Sequence, residues 1–212
     1  MISSIVVRKL KNLVFYLFLL YFSYLMLLIT LQYIPINYEV AFLNIKQEQI
    51  IFFHYKIAFF AHVYSSIFVL VAGFTQFSDH IRKRWRLLHR LSGYMYIFLI
   101  LIVAAPSGFI MGVHANGGLS SKVSFCILSI LWFVFTLKAF LHALKGDFKA
   151  HRAFMYRSYA LTLSAITLRA WKWLIISVFE TAPMDTYKIV AWLGWVLNLL
   201  VIEFYLRIDR KG

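Results

Sequence analysis

The chain has 212 residues, of which 62% are hydrophobic and 14% charged, and its mean hydropathy is +0.78. Soluble domains run about 45–50% apolar and about 25% charged, so a soluble enzyme, a disordered tail and a secreted disulfide scaffold are excluded at the outset. The net charge of +14 would raise nucleic acid in a soluble protein, but here Lys and Arg sit in short connections between apolar runs. There they set topology and touch anionic lipid, so the expected partner is the bilayer and not nucleic acid.

In chain order, Arg8, Lys9 and Lys11 precede an apolar run at about 12–34. That run is too long for the apolar core of a signal peptide and no small-x-small cleavage site follows, so it reads as an uncleaved first span. Residues 36–56 are too apolar for a free loop and predict an interfacial helix on the outer leaflet. Further runs fall at about 57–78, 88–112, 123–144, 153–178 and 187–206. The third contains Pro106 and Gly108, which predict a kink. The fourth carries Trp132 and the lone Cys126, which reads as a small buried residue, and the sixth carries Trp192 and Trp195. Each run reaches the roughly 20 residues a crossing needs, and none alternates with period two, so the spans are helices. The reading is an all-α integral membrane protein: a single domain, residues 1–212, folded as a six-transmembrane-helix bundle. The second to fifth spans form its core and the first and sixth flank it.

Charge sets the orientation. Arg8, Lys9, Lys11, Arg82, Lys83, Arg84, Arg86, Arg90, Lys145, Lys149, Arg152, Arg157, Arg207, Arg210 and Lys211 fall on one side, against Lys46, Lys56, Lys122 and Lys188 on the other, 15 against 4. The positive-inside rule then puts both termini in the cytoplasm, and six is the even number that fits. A multi-pass protein of a bacterial inner membrane is the expectation.

Ionisable groups within spans are costly and mark function or pairing. On the second span His62, Ser65, Ser66, Gly73 and Gln76 share a helical face, with His62 and Gln76 about 21 Å apart. On the third, His89, Gly93, Tyr96, Ser107 and His114 align, Pro106 interrupting the phase before His114. On the fifth, His151, Ser158, Thr162 and Arg169 align, with Lys172 continuing the face. An inner group then holds Gln76, His89 and His151 with Arg90, Arg152 and Arg157 nearby. An outer group holds His62, His114, Arg169 and Lys172. Small residues on such faces also simply permit close helix packing. His54 and His80 read as loop residues and His142 as the inner end of the fourth span, all three as rim groups.

Three chemistries suit these residues. Imidazoles facing one another ligate haem iron, His89 with His151 as the inner pair and His62 with His114 as the outer, with arginines for the propionates. Absence of a Cys-x-x-Cys-His motif makes any such haem a non-covalent haem b. The same His, Arg, Tyr and Gln set suits a quinone headgroup, its redox partner and a proton relay. The stripe also suits a transporter or small-molecule binding protein, with Arg169 and Lys172 drawing in an anion. An assembly role for another membrane complex leaves no mark in sequence.

Three blocks carry a resemblance: His62 with Gly73-Phe74-Thr75-Gln76-Phe77, then His89-Arg90-Leu91-Ser92-Gly93-Tyr94-Met95-Tyr96, then His151-Arg152-Ala153-Phe154-Met155-Tyr156-Arg157-Ser158-Tyr159-Ala160. Over about residues 55–175 the chain resembles a bacterial family of predicted multispan membrane proteins with a domain of unknown function. Phe154 stands where many members have Trp. The resemblance implies a multispan membrane protein and carries no established activity. A looser likeness is to di-haem transmembrane cytochromes b: His89 and His151 suit their pairing of third with fifth helix. The pairing of second with fourth fails, because His62 is outer and His142 inner.

Overall fold

The computed structural model describes residues 2–209, the side chains of residues 2–9, 11, 12, 15, 79 and 209 excepted. Arg8, Lys9, Lys11, Arg210 and Lys211 of the charge count therefore lie outside the described side chains. Every regular element among the described residues is helical: α1 Ile2–Leu31, a 3₁₀ turn Ala41–Ile45, α2 Gln47–Ile50, α3 Phe53–Gln76, α4 Asp79–Arg84, α5 Arg86–Phe98, a π-helical segment Leu99–Ala104, α6 Ala105–Val113, α7 Gly118–Leu144, α8 Phe148–Thr162, α9 Ser164–Phe179 and α10 Pro183–Asp209.

Among the described residues four helices are long and apolar enough to cross a membrane: Phe53–Gln76, the continuous Arg86–Val113, Gly118–Leu144 and Pro183–Ile208. The bent pair α8–α9 makes a fifth if taken as one span, and α1 contributes a shorter apolar stretch, Tyr16–Leu31. The second, third, fourth and sixth sequence-predicted spans are therefore continuous helices that start two to five residues earlier than expected, the second also ending two residues earlier.

Where the third span is expected to kink, it carries a π-helical segment just before Pro106. Pro106 occupies the first turn of α6, where its missing N–H costs least. The carbonyl one turn before it loses a helical partner, and the widened π segment Leu99–Ala104 takes up that mismatch. The carbonyls at the end of the segment find other donors. Ser107 Oγ donates to the Val103 and Ala104 oxygens at 2.6 and 3.2 Å.

The fifth span is broken. α8 and α9 meet at 41° around Leu163. Thr162 Oγ1 donates to the Ser158 oxygen at 3.2 Å, and Thr167 Oγ1 donates to Leu163 and Ser164 oxygens and, at 2.5 Å, to Gly194 on α10. Hydroxyls that bond back to the preceding turn compete with the backbone ladder and bend helices. The register that placed His151 and Arg169 on one face of one helix does not run through this break.

Residues 36–56 form no single interfacial helix. The short elements there divide their apolar residues: Leu43 and Ile50 are buried against Tyr33, Tyr55 and Phe59, and Lys46 is 1% exposed, while Ile45, Ile51, Phe52 and Phe53 stay exposed. Packing Leu43 and Ile50 against α3 removes their apolar surface from the surroundings.

The bundle is built around α3, which packs on α1, on α5, α6 and the π segment, and on α8. α7 lies against α6 and α8, and α10 against α7, α8 and α9. The main core joins Val69, Tyr96, Ile100, Trp132, Met155, Tyr159 and Leu161 with Trp195 of α10. The sixth span is thus part of the core rather than a flank. Close approach of α3 and α8 depends on Gly73, where an added Cβ would collide with the Tyr159 ring. At the other end Gly117, at φ +85°, makes the left-handed turn into α7.

Candidate functional site

The polar residues fall at three levels. The basic end holds the start of α5, the start of α8 and the end of α7. There Gln76 Nε2 donates to the His89 oxygen at 3.1 Å and to Ser92 Oγ at 2.8 Å, while Thr75 Oγ1 and Ser92 Oγ are 2.6 Å apart. Gln76 is therefore committed to holding α3 on α5. His89 differs: its Nδ1 is buried with no hydrogen-bond partner, the ring is hydrogen-bonded at the Thr75 backbone, and His151 is within electrostatic reach. His151 Nδ1 sits 2.8 Å from the Ala139 carbonyl oxygen of α7. A carbonyl only accepts, so Nδ1 carries the proton and Nε2 keeps its lone pair. A carbonyl that holds one ring nitrogen in this way presents the other to a metal.

The cations of this end divide. Arg90 is exposed, and Arg152 lies over the Tyr156 ring with its carbon 5.8 Å from the centroid. Arg157 is paired in bidentate fashion with Glu203 of α10, Nε to Oε1 at 2.5 Å and Nη2 to Oε2 at 2.9 Å. Arg157, expected beside a ligand, is thus taken by Glu203, a residue absent from the candidate set. The signal was present, since Glu203 is the carboxylate inside the sixth apolar run. His142 stacks on Phe154 and its Nδ1 is 3.2 Å from Asp147, the N-cap of α8.

At mid-depth Tyr96 is fully buried. Its Oη lies 2.9 Å from Ser158 Oγ and 3.0 Å from Thr162 Oγ1. Trp132 Nε1 donates to Thr162 Oγ1 at 3.1 Å, and Thr136 Oγ1 is 2.7 Å from Ser158 Oγ. The stripe of Tyr96, Ser158 and Thr162 is a closed network that ties α5, α7 and α8 together. Such networks satisfy polar groups that hydrocarbon cannot.

The end opposite the basic one splits the sequence-predicted outer group. His62 Nδ1 donates to the Ala104 oxygen at 2.9 Å, at the end of the π segment, with Ser107 Oγ at 3.4 Å. Its Nε2 likewise keeps a lone pair. His114, which caps α6, does not join His62. Its Nε2 is 3.3 Å from Nε2 of His54, and Phe52 stacks on both rings. His54 stands in the first turn of α3 rather than in a loop, and His80 is exposed on α4. Beneath this pair Lys46 Nζ donates to the His114 oxygen at 2.6 Å and to Asn116 Oδ1 at 2.5 Å. Burial, with Lys122 adding to it, pushes the Lys46 ammonium down to about 8.

Arg169 and Lys172 lie together on α9, beside a cleft of about 290 Å³ that they share with Trp173, Ile176 and Ser177. Among the described residues no group of three or more His, Cys, Asp or Glu side chains is placed to hold a metal ion. The geometry therefore offers imidazole pairs or singles, not a multi-carboxylate metal centre.

Residues 59–206 match the model of a family described as a predicted membrane protein, DUF2306. No curated protein and no solved structure matches the chain.

Proposed function

The chain belongs to this family of predicted membrane proteins, and on that premise we propose a membrane redox protein that holds one b-type haem between His89 and His151. In this reading α1 supplies the first of six crossings, the basic end faces the cytoplasm, and the membrane is the bacterial inner membrane. The observation that carries the reading is the pair itself. His89 keeps a buried Nδ1 with no partner while its ring is held at the Thr75 backbone, and His151 is turned by the Ala139 carbonyl so that Nε2 is open. An orphaned buried nitrogen costs about 1–3 kcal/mol, which ligation recovers.

Arg90 is exposed at the same end and suits a carboxylate; Arg157 does not serve, because Glu203 holds it. Haem, when bound, supplies one-electron transfer at a potential set by its axial ligands and burial. The chain's own residues do the positioning. Ala139 fixes the His151 tautomer, Gln76 and Ser92 lock the start of α5 that carries His89, and the Tyr96 network holds α5 against α8 below them. One haem, not two, follows from the outer histidines. His114 is engaged with His54, and His62 stands without it. The electron acceptor of the reading is a quinone or another membrane redox partner.

The test is a reduced-minus-oxidised visible spectrum of the detergent-purified protein, expressed with haem in good supply. A b-type signal supports the reading. A featureless spectrum overturns it.

A further inference from the structure

Arg169 stands on α9 beyond the bend. If α8 and α9 form one span, Arg169 is about 8 Å from its midpoint at 1.5 Å per residue, inside a hydrocarbon half-thickness of about 15 Å. Its Nη1 donates to the Ala165 oxygen at 2.7 Å, one donor of five. No described carboxylate pairs with it. The residues within electrostatic reach are Tyr33, Tyr187 and His62. Lys172, one turn further along, has its Nζ 5.8 Å from the Tyr187 ring centroid and likewise no described carboxylate. Both cations lie along one face of α9 with Trp173, Ile176 and Ser177, over an open cleft of about 290 Å³ in which Arg169 and Trp173 are exposed.

An arginine at this depth without a counter-charge is expensive, and side chains of this kind are retained where something pairs with them. The fork of the guanidinium matches a tetrahedral oxyanion in bidentate fashion, and Lys172 adds a second charge. Trp173 and Ile176 supply an apolar wall beside the charged mouth. We propose that this cleft binds a phosphate-class oxyanion, with Arg169 and Lys172 as its charge partners and Trp173 and Ile176 flanking any chain attached to it. The site is separate from the His89–His151 pair and stands or falls without it.

The test uses the full-length, delipidated protein in detergent and native mass spectrometry. The probes are phosphatidylglycerol, phosphatidylcholine and inorganic phosphate. The expected result is preferential retention of the anionic probe, weakened at least about tenfold by Arg169→Gln and by Lys172→Gln and left unchanged by Lys188→Gln. Lys172→Gln alone suffices if Arg169→Gln fails to fold. Phosphatidylglycerol that millimolar phosphate does not displace assigns a lipid headgroup. Displacement by phosphate, or retention of phosphate alone, assigns a free oxyanion. Equal retention of phosphatidylglycerol and phosphatidylcholine, or equal retention by wild type and Lys172→Gln, overturns the proposal.

Discussion

Replacing Gly73 with alanine tests the contact that sets the bundle's geometry. A Cβ at this position collides with the ring of Tyr159, which is 5% exposed and cannot swing aside. Phe77 lies 4.9 Å from the ring centroid on one side and Tyr96 at 6.5 Å on another, and Tyr159 Oη donates to the Leu70 oxygen at 3.2 Å. The substitution must push α3 from α8 or break that hydrogen bond. Overpacking costs roughly 1–3 kcal/mol and the lost bond about 0.5–1.5 kcal/mol, against a gain of about 0.5–1 kcal/mol from helix propensity. Gly73→Ala is expected to lower stability by about 1–3 kcal/mol in denaturant titrations followed by circular dichroism in micelles. In a Tyr159→Ala background the obstacle is gone and only the propensity term remains, so the same change should stabilise by about 0.5–1 kcal/mol. Equal destabilisation in both backgrounds would refute the reasoning.

Three other outcomes are expected. Glu203→Gln strips the countercharge from Arg157, whose side chain is 13% exposed, and should cost about 1.5–3 kcal/mol of unfolding free energy; Arg157→Gln added to it should cost little more, and full additivity would contradict the pairing. Because Lys46 is held near 8 in the fold and near its ordinary 10.5 in the unfolded chain, the unfolded state binds more protons between those values. Stability relative to Lys46→Met should therefore rise with pH across that window, and a flat or falling difference would sink the assignment. Burial, then His54, Lys122 and Lys46, holds the His114 ring below its ordinary 6.5, so the unfolded chain takes up the proton first. Stability present at neutral pH should be lost as pH falls below 6.5, and His114→Gln should lose that part of the acid dependence; an unchanged acid limb would count against it.

Four of the membrane helices were legible because apolar length is a property of contiguous residues. The break in the fifth was not. Hydropathy runs smoothly through Thr162, Leu163 and Ser164, and the bend comes from hydroxyls whose partners, Ser158 and Gly194, only the folded chain defines. Periodicity gave the faces of Gln76, Tyr96, Ser158 and Thr162 but not their partners, and the partners turned most of that stripe into interhelical fastening. Pairs far apart in sequence were invisible for the same reason. His54 meets His114 across 60 residues, Arg157 meets Glu203 across 46, and Lys46 reaches Asn116 across 70. A helical wheel orders one helix at a time. The residues 36–56 misled because their apolar surface was matched to lipid, whereas Leu43 and Ile50 found Tyr55 and Phe59.

The central claim, that His89 and His151 hold a haem at the basic end, is tested most directly by haem content per chain in His89→Ala, His151→Ala and His62→Ala variants beside the wild type. The account predicts close to one haem per chain in the wild type and in His62→Ala, and its near-complete loss in the other two. Full haem retained in both His89→Ala and His151→Ala, or a wild type without haem, would contradict it.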